Sequence, residues 1–484
     1  MRSFMSTVRT RFAPSPTGFL HVGGLRTALY AYLWAKKNNG KFLLRIEDTD
    51  RTRLVAGATE NIISTLHWAG IDFDEGPGKP GVCESYIQSE RLPLYQKYAQ
   101  QLIDAGHAYY CFCSSERLEE VRNRQIALKL PPAYDKSCRN LTPAQVAQKK
   151  EEHPTCVVRM KVPEHGEMTF NDIIRGDVTF GYKVVDDQVL MKSDGYPTYH
   201  LAVVVDDHDM QISHVIRGEE WLSSTPKHIL LYQYFGWNIP LFAHLPLMLN
   251  PDRSKLSKRQ GDVAVEDYRD KGYLPEALVN FIAFLGWNPG DTREIFSLPE
   301  LVQEFSLERV GKSGAVFNVE KLQWLNQQYI LKMPADAILK QLRPVLEAKG
   351  FVGLSDEYVT QIIELLKDRV TFIHEYVIHG SEFFGAPQTY DETFKAKCWK
   401  PETSAVLKEL SDACMKLDAF DAVNIEKALR DFAVAKGVGA GSLIMPMRLA
   451  IAGLGQGANL FQVMAIIGKK EVAARVQKAC DVFA

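Results

Sequence analysis

The sequence predicts a doubly wound α/β fold, split by an α+β insertion and followed by an α-helical C-terminal third. Three observations carry this. The chain opens with a strand, a glycine-bearing loop, a helix and a second strand, the βαβ unit that begins an open parallel sheet. From about residue 87 the pattern becomes irregular, and it resumes its earlier character near residue 190. Beyond about residue 335 the strand signal nearly disappears.

The first strand is read at Val8 to Ala13, and Pro14-Ser15-Pro16-Thr17-Gly18 is a loop with strong turn chemistry. A helix follows from about His21 to Lys37, with Leu25, Leu29, Tyr32 and Leu33 at helical spacing. Lys41 to Ile46 is the next strand, ended by Glu47-Asp48-Thr49-Asp50. In the insertion, a charged helix at Ser114 to Lys129 is stopped by Pro131-Pro132, and a short strand follows near Cys156 to Val162. Strand character returns at Val189–Lys192, Val203–Asp206 and His214–Ile216. In the last third, Ala335–Lys349, Tyr358–Ile373, Ser404–Lys416, Ile425–Lys436 and Lys470–Ala484 are predicted amphipathic helices. Neither an internal repeat nor a low-complexity segment is evident.

With 484 residues the chain exceeds one ordinary core, so two to four domains are expected. Hydrophobic residues make up 46% and charged residues 24%, the balance of a soluble globular protein. Fifty-seven lysines and arginines stand against 59 acidic residues, a net charge of −2. Such a chain has no bulk attraction for a polyanion, so a nucleic acid must be held by local patches and shape. The N-terminal residues lack the apolar run of a secretory signal, and no stretch approaches the roughly 20 apolar residues of a membrane span. Eight scattered cysteines then read as reduced thiols of a cytoplasmic protein.

Two short segments carry chemistry. The first runs Arg11-Phe-Ala-Pro-Ser15-Pro-Thr17-Gly-Phe-Leu-His21-Val-Gly23-Gly24, into the first helix. A helix start offers unpaired N–H groups and a positive dipole end to a triphosphate. Gly23 and Gly24 let an adenine ring approach the backbone, and His21 can donate to phosphate oxygens as charge develops. A lone His-x-Gly is equally a capping histidine with glycines for close packing. The second segment is Lys255-Leu-Ser257-Lys258-Arg259, after Leu249-Asn-Pro-Asp-Arg253. Three cations in five residues suit phosphate oxygens, although a basic loop by itself is more commonly a solvated one.

Together the two segments resemble the paired signatures of class I aminoacyl-tRNA synthetases, His-Ile-Gly-His and Lys-Met-Ser-Lys-Ser. Gly24 replaces the second histidine and Arg259 the last serine, variants that are usual in the bacterial glutamyl-tRNA synthetase family. Arg45-Ile-Glu47-Asp48-Thr49-Asp50-Arg51, Lys192 to Ala202 with Tyr199 and His200, Val205 to His208, and Val215 to Trp221 resemble further signatures of that family. The resemblance runs from residue 9 to about 330 and continues more weakly to the end.

The resemblance implies a glutamate–tRNA ligase that forms glutamyl-adenylate from L-glutamate and ATP with Mg2+, then loads tRNA-Glu, with no role for DNA or a membrane and a monomer favoured. It implies a Rossmann-type catalytic domain over residues 1–86 and 190–236 and an inserted acceptor-binding domain over 87–189. A stem-contact domain follows over 237–334, then helical anticodon-binding subdomains over 335–391 and 392–484. His21, Lys255 and Lys258 are the expected catalytic residues. Thr17, Gly23, Gly24 and Trp221 join Lys255, Ser257, Lys258 and Arg259 around ATP. Arg11, Ser15, Glu47, Tyr199 and Arg217 are expected to bind glutamate, whose two carboxylates and one ammonium they complement. Without the resemblance, Arg217 reads as a surface ion pair with Glu219 or Glu220.

Arg369 matches the position where an arginine marks family members that reject tRNA-Gln; a helical surface ion pair is the alternative. Asp206-Asp207-His208 has the look of a metal triad, but the family assigns it a structural or positioning role. Cys111, Cys113 and Cys138 stand where some relatives bind zinc with a histidine two residues after the third cysteine. Asn140 occupies that place, and asparagine is a poor zinc ligand, so a metal-free site is expected, with His107, His153 and Cys156 as other conceivable ligands. Two rival functions remain, a catalytically silent RNA-binding paralogue and a synthetase that also charges tRNA-Gln.

Overall fold

The structure, a computed structural model, describes residues 7–153, 155–256 and 264–483. These form two compact units, one of Met1–Lys271 with Pro275–Val319 and one of Gly272–Leu274 with Glu320–Ala484.

The first unit is built on a parallel sheet. Strand β1 (Arg9–Phe12) leads through helix α1 (Val22–Lys37) to β2 (Lys41–Leu44), which pairs parallel to β1 from Arg9↔Lys41 to Phe12↔Leu44. The helix forms because Leu25, Ala28, Leu29 and Leu33 present one buried face. His21 caps its start, Nδ1 accepting from the Gly24 N–H at 3.0 Å, and Lys36 and Lys37 lie in its last turn.

After helices α2 (Ala58–Trp68) and α3 (Leu92–Asp104), strands β3 (Ala108–Cys111) and β4 (Val157–Met160) pair antiparallel, with α4 (Ser115–Ala127) and α5 (Pro143–Glu152) between them. A hairpin, β5 (Glu167–Asp172) and β6 (Gly176–Gly181), comes next, and β7 (Val189–Met191) then adds to the far edge of β4.

The chain then makes helix α6 (Tyr199–Asp209), β8 (His214–Gly218), α7 (Thr225–Phe235) and β9 (Leu241–Leu245). β8 and β9 are parallel, and the Ser213 N–H donates to the Arg9 carbonyl at 2.9 Å on the free side of β1. The order β2, β1, β8, β9 reverses direction between β1 and β8. That reversal opens a crevice at the carboxyl ends of the strands, where doubly wound sheets bind ligands. β5 touches β9 through the pair Asp172↔Phe242, so the inserted hairpin reaches the same sheet. One buried apolar cluster takes in Leu43, Val205 and Phe242 together with Met160 of β4 and Leu190 of β7.

The expected strand at Val203–Asp206 is wrong. These residues lie inside α6, with Val203, Val204, Val205 and Asp206 all buried. Three consecutive valines favour a strand locally, but a helix buried all round has no polar stripe to reveal its period.

The second unit is helical, and among the described residues no strand follows Ala315–Val316. Helices occupy Ala335–Ala348, Asp356–Leu366, Thr403–Met415, Ala422–Ala435 and Lys469–Val482. The helix expected to run to Ile373 ends at Leu366 and gives way to short 3-10 turns. Two further helices, Gly441–Ala452 and Leu460–Ile467, had no sequence signal. The first contains Pro446 and is apolar on most sides, and the second is a short apolar run that periodicity cannot assign.

Candidate active site

The carboxyl ends of β1, β2 and β8 and the start of α6 surround a cavity of about 1060 Å³. Arg11, Ser15, Glu47, Tyr199 and Arg217 all line it. So do Thr17, His21, Gly23, Gly24, Trp221 and Lys255. Ser257, Lys258 and Arg259 lie outside the described residues. Arg369 belongs to the second unit, where its Nη1 donates to the Gly457 carbonyl at 3.2 Å.

At one wall, buried charges form a network. Arg11 donates from Nε and Nη2 to the two carboxylate oxygens of Asp207, at 3.0 and 3.2 Å. Arg45, fully buried, donates to Asp207 Oδ1 at 2.7 Å and to Glu47 Oε1 at 3.1 Å. Asp206 joins the same network, its Oδ2 3.7 Å from Arg45 Nε, and accepts from Arg91 Nε at 2.9 Å, Gln88 Nε2 at 2.8 Å and the Tyr95 hydroxyl at 2.9 Å. His208 stacks on Trp237 at 3.8 Å. The two aspartates of the apparent metal triad thus set arginines, sharing Arg45 between them, and His208 turns away onto Trp237. Arg45 was not singled out from sequence. Its alternation with Glu47 on one strand end was the available signal.

Burial raises the Glu47 carboxyl to about 7, against the pull of Arg45 and Arg11. A cationic group entering the cavity beside it favours the ionised form.

Arg217 is 5% exposed, and among the described residues it has no carboxylate oxygen within 4.0 Å. Glu219 pairs with Arg175 instead, at 2.5 Å. The guanidinium donates to Tyr199 Oη at 3.0 Å, His228 Nδ1 at 3.1 Å, His244 Nε2 at 3.1 Å and Thr225 Oγ1 at 2.9 Å. Burial, with Arg217 beside them, holds His228 and His244 below the ordinary histidine range, so both rings are neutral and the positive charge of Arg217 stays uncancelled by its contacts. Trp221, 37% exposed, lies 4.3 Å from the Tyr199 ring, a flat apolar wall for an aromatic ligand. His21 accepts the Gly24 N–H on Nδ1, which puts the proton of the neutral ring on Nε2. A Cβ on Gly24 would come within 2.8 Å of Leu20 Cδ1, and one on Gly23 within 3.1 Å of the His21 ring. A side chain at either position would have to push a neighbouring side chain aside, so packing favours the two glycines alongside any approach by a ligand.

A second constellation sits in the insertion. The sulfur atoms of Cys111, Cys113 and Cys138 lie within 4.8 Å of one another, with Cys113 and Cys138 3.6 Å apart. Asn140 has not scattered them. The hydroxyl of Tyr134 is 3.3 Å from Cys111 Sγ and 3.5 Å from Cys113 Sγ, and it accepts the Cys138 N–H at 3.1 Å. His107 stacks on Tyr234 at 4.1 Å, and neither it, His153 nor Cys156 belongs to the group. Three soft thiols and a phenol oxygen converging from a strand end and a loop are a donor set that fits a tetrahedral zinc ion.

The family model described as tRNA synthetases class I (E and Q), catalytic domain, matches residues 7–324, and an anticodon binding domain matches 337–480. The chain is 52% identical to a glutamate–tRNA ligase of Chloroherpeton thalassium, over 98% of each chain. It is 51% identical to that of Pelodictyon phaeoclathratiforme, over 97% of each. The crystal structure of a glutamate tRNA ligase from Elizabethkingia meningosepticum, in complex with its amino acid, superposes with a TM-score of 0.95 at 43% identity, covering 99% of this chain and 100% of that one. The glutamate–tRNA synthetase of Elizabethkingia anophelis gives 0.91 at 43% identity, over 98% and 100%.

Proposed function

The chain belongs to the class I glutamyl-tRNA synthetase family, and from that membership we infer that it is a glutamate–tRNA ligase, activating glutamate with ATP and transferring it to tRNA. The carboxylate of glutamate attacks the α-phosphorus of ATP, pyrophosphate leaves, and a hydroxyl of the terminal ribose of the tRNA then displaces AMP. No covalent nucleophile of the protein is needed; positioning and charge stabilisation carry the catalysis. Mg2+ arrives with ATP as part of the substrate.

The observation that carries the amino-acid assignment is Arg217, a buried guanidinium whose contacts are all neutral. In a low-dielectric cavity such a charge calls for an anion, and the side-chain carboxylate of glutamate supplies one where the amide of glutamine does not. Glu47, which lines the same cavity, takes the amino group, and Arg11, Ser15 and Tyr199 complete the amino-acid pocket. Thr17, Gly23, Gly24 and Trp221 receive ATP. His21, with its proton on Nε2, and Lys255 stabilise charge at the phosphates, together with Ser257, Lys258 and Arg259 of the adjoining segment. The polynucleotide partner is tRNA-Glu, and Arg369 is assigned to reject tRNA-Gln.

Two features argue against relatives of other specificity. The second unit is helical among its described residues, whereas a glutaminyl synthetase carries β-barrels there. The segment that a tRNA-modifying paralogue lacks matches an anticodon binding domain over residues 337–480. The deciding experiment is aminoacylation with purified tRNA-Glu and tRNA-Gln, each with glutamate and with glutamine. Only glutamate on tRNA-Glu is expected. Charging by neither amino acid would point to a silent paralogue.

A further inference from the structure

Behind Arg217 lies a chain of hydrogen bonds whose proton positions are dictated from both ends. A guanidinium offers donors only, so the nitrogens that face it, His244 Nε2 and His228 Nδ1, must both be bare acceptors. On its other side His244 presents Nδ1 to Asp172 Oδ2 at 2.6 Å. An ionised carboxylate only accepts, and against the upward push of burial the hydrogen bonds from His244 and from backbone N–H groups hold the Asp172 carboxyl below its usual range, so the His244 proton sits on Nδ1. Two independent demands thus select one tautomer. The same logic puts the His228 proton on Nε2, facing His200 Nδ1 at 3.0 Å.

Asp172 is itself fixed. Its Oδ1 accepts the backbone N–H of Ile174 at 3.0 Å and of Arg175 at 2.9 Å, and its Oδ2 accepts that of His244 at 3.1 Å. It stands at the last residue of β5, where the inserted hairpin meets β9. His244, His228 and Thr225 do not line the cavity, whereas Tyr199 and Trp221 do. The guanidinium is therefore anchored from behind, and the partners that a ligand can displace are on the cavity side.

We propose that Asp172 and His244 are positioning residues for the arginine that reads the substrate: Asp172 fixes the tautomer in which His244 offers a bare nitrogen to Arg217, so that the guanidinium is aimed by neutral acceptors and keeps its charge for a carboxylate. The proposal rests on the assignment of Arg217 to the glutamate side chain. A carboxylate placed directly against Arg217 would hold it equally well and cancel the charge that the substrate needs. Moving that carboxylate one imidazole ring away keeps the aim and spares the charge. It also makes the inserted hairpin part of amino-acid recognition.

Asp172→Asn separates tautomer from shape. The asparagine amide can donate to Nδ1, which selects the Nε2–H tautomer and sets one donor against another at Arg217, as a wrong tautomer does in hydrolytic triads. The expected result is a rise of about ten- to a hundredfold in KM for glutamate, with KM for ATP and for tRNA within about twofold of wild type. His244→Gln puts an amide carbonyl near the position of Nε2 and has no tautomer to choose. It should keep near-wild-type KM alone and restore it in the Asp172→Asn background, while His244→Leu should raise KM for glutamate as Asp172→Asn does. An unchanged glutamate KM in Asp172→Asn, or a failure of His244→Gln to rescue a folded double variant, would overturn the proposal. If Asp172→Asn does not fold, the comparison of His244→Gln with His244→Leu decides, equal KM values overturning it. A wild-type chain that charges no glutamate would instead remove the reading of the cavity on which this rests.

Discussion

Arg11 and Asp207 form a two-pronged ion pair, Nε to Oδ1 at 3.0 Å and Nη2 to Oδ2 at 3.2 Å, with both side chains buried. The pair joins the first strand to helix α6, and Arg45 shares the same carboxylate at 2.7 Å. Asp207 therefore compensates two guanidinium groups. Asp207→Asn leaves both undercompensated, and breaking a buried pair from one side costs about 3–5 kcal/mol. The unfolding midpoint of the first unit in urea should fall accordingly, with KM for glutamate rising as Arg11 loses its aim. A variant of wild-type stability would show that Asp207 does not carry this load.

Arg217→Cys removes the cation without adding a large group. Glutamate use, measured as kcat/KM in aminoacylation, should fall by more than about tenfold. A surface ion pair with Glu219 or Glu220 predicts little change, and the observed pairing of Glu219 with Arg175 already disfavours it. Wild-type glutamate charging by the variant would remove Arg217 from the pocket.

The raised carboxyl of Glu47 gives a pH dependence with a definite sign. In the folded chain it takes up its proton at about 7 rather than at 4.5, the unperturbed value. Between these limits the folded state holds more protons than the unfolded one, so this group's contribution to stability falls as pH rises. Binding of an ammonium group requires the ionised form. Glutamate affinity should therefore climb by up to about tenfold per pH unit below the Glu47 pKa and level off above it. Glu47→Gln should bind weakly and lose that slope. A slope retained in Glu47→Gln would assign it to another group.

These predictions draw on residues of unequal legibility. His21, Gly23, Gly24 and Lys255 belong to contiguous segments whose order along the chain marks them, and the structure gathers them at one cavity. Glu47, Tyr199 and Arg217 could be named through resemblance, because single residues on three separate elements have no spacing rule of their own. Asp172, His228 and His244 were not legible at all. Asp172 and His244 are 72 positions apart and meet through the pairing of β5 beside β9, a contact that no local pattern encodes. The misreading of Val203–Asp206 has the complementary cause, since local β-branched preference was overruled by burial on every side of α6. For Gly24 both ligand approach and close packing were open, and a Cβ there would crowd the Leu20 side chain, so the two roles coincide at a position where sequence cannot separate them.

Arg369 has no carboxylate oxygen within 4.0 Å among the described residues, and it donates to the Gly457 carbonyl. It is thus not spent in the surface ion pair that would explain it otherwise. A fixed guanidinium can demand a particular acceptor on a base. The wild-type protein should charge tRNA-Glu and leave tRNA-Gln uncharged, and Arg369→Gln should raise tRNA-Gln charging by more than about tenfold. Efficient wild-type glutamylation of tRNA-Gln would show that Arg369 does not confer rejection.

The thiol cluster yields the last prediction, and here the geometry offers a donor that the sequence reading did not weigh. Asparagine in place of the histidine at 140 argued for a metal-free site, with zinc retained only if water or a nearby side chain supplied the fourth ligand. Tyr134 brings a phenol oxygen to within 3.5 Å of two of the sulfurs and receives the backbone N–H of the third cysteine. A phenol is a weaker zinc ligand than imidazole, but deprotonation beside the metal makes it an oxygen anion, and three thiolates already supply most of the affinity. Arg117, whose Nη1 lies 3.4 Å from Cys113 Sγ, offsets part of the added negative charge. Elemental analysis of protein purified without chelator should find about one zinc per chain. Cys113→Ser should lose it, and Tyr134→Phe should hold it more weakly, releasing it at lower chelator concentration. Because the cluster lies in the insertion and none of its residues lines the cavity, zinc removal should loosen the insertion, raising amide exchange at β3 and β4. Protein free of zinc after incubation with the metal, with thiols that all react readily with a cysteine reagent, would return the site to the metal-free reading.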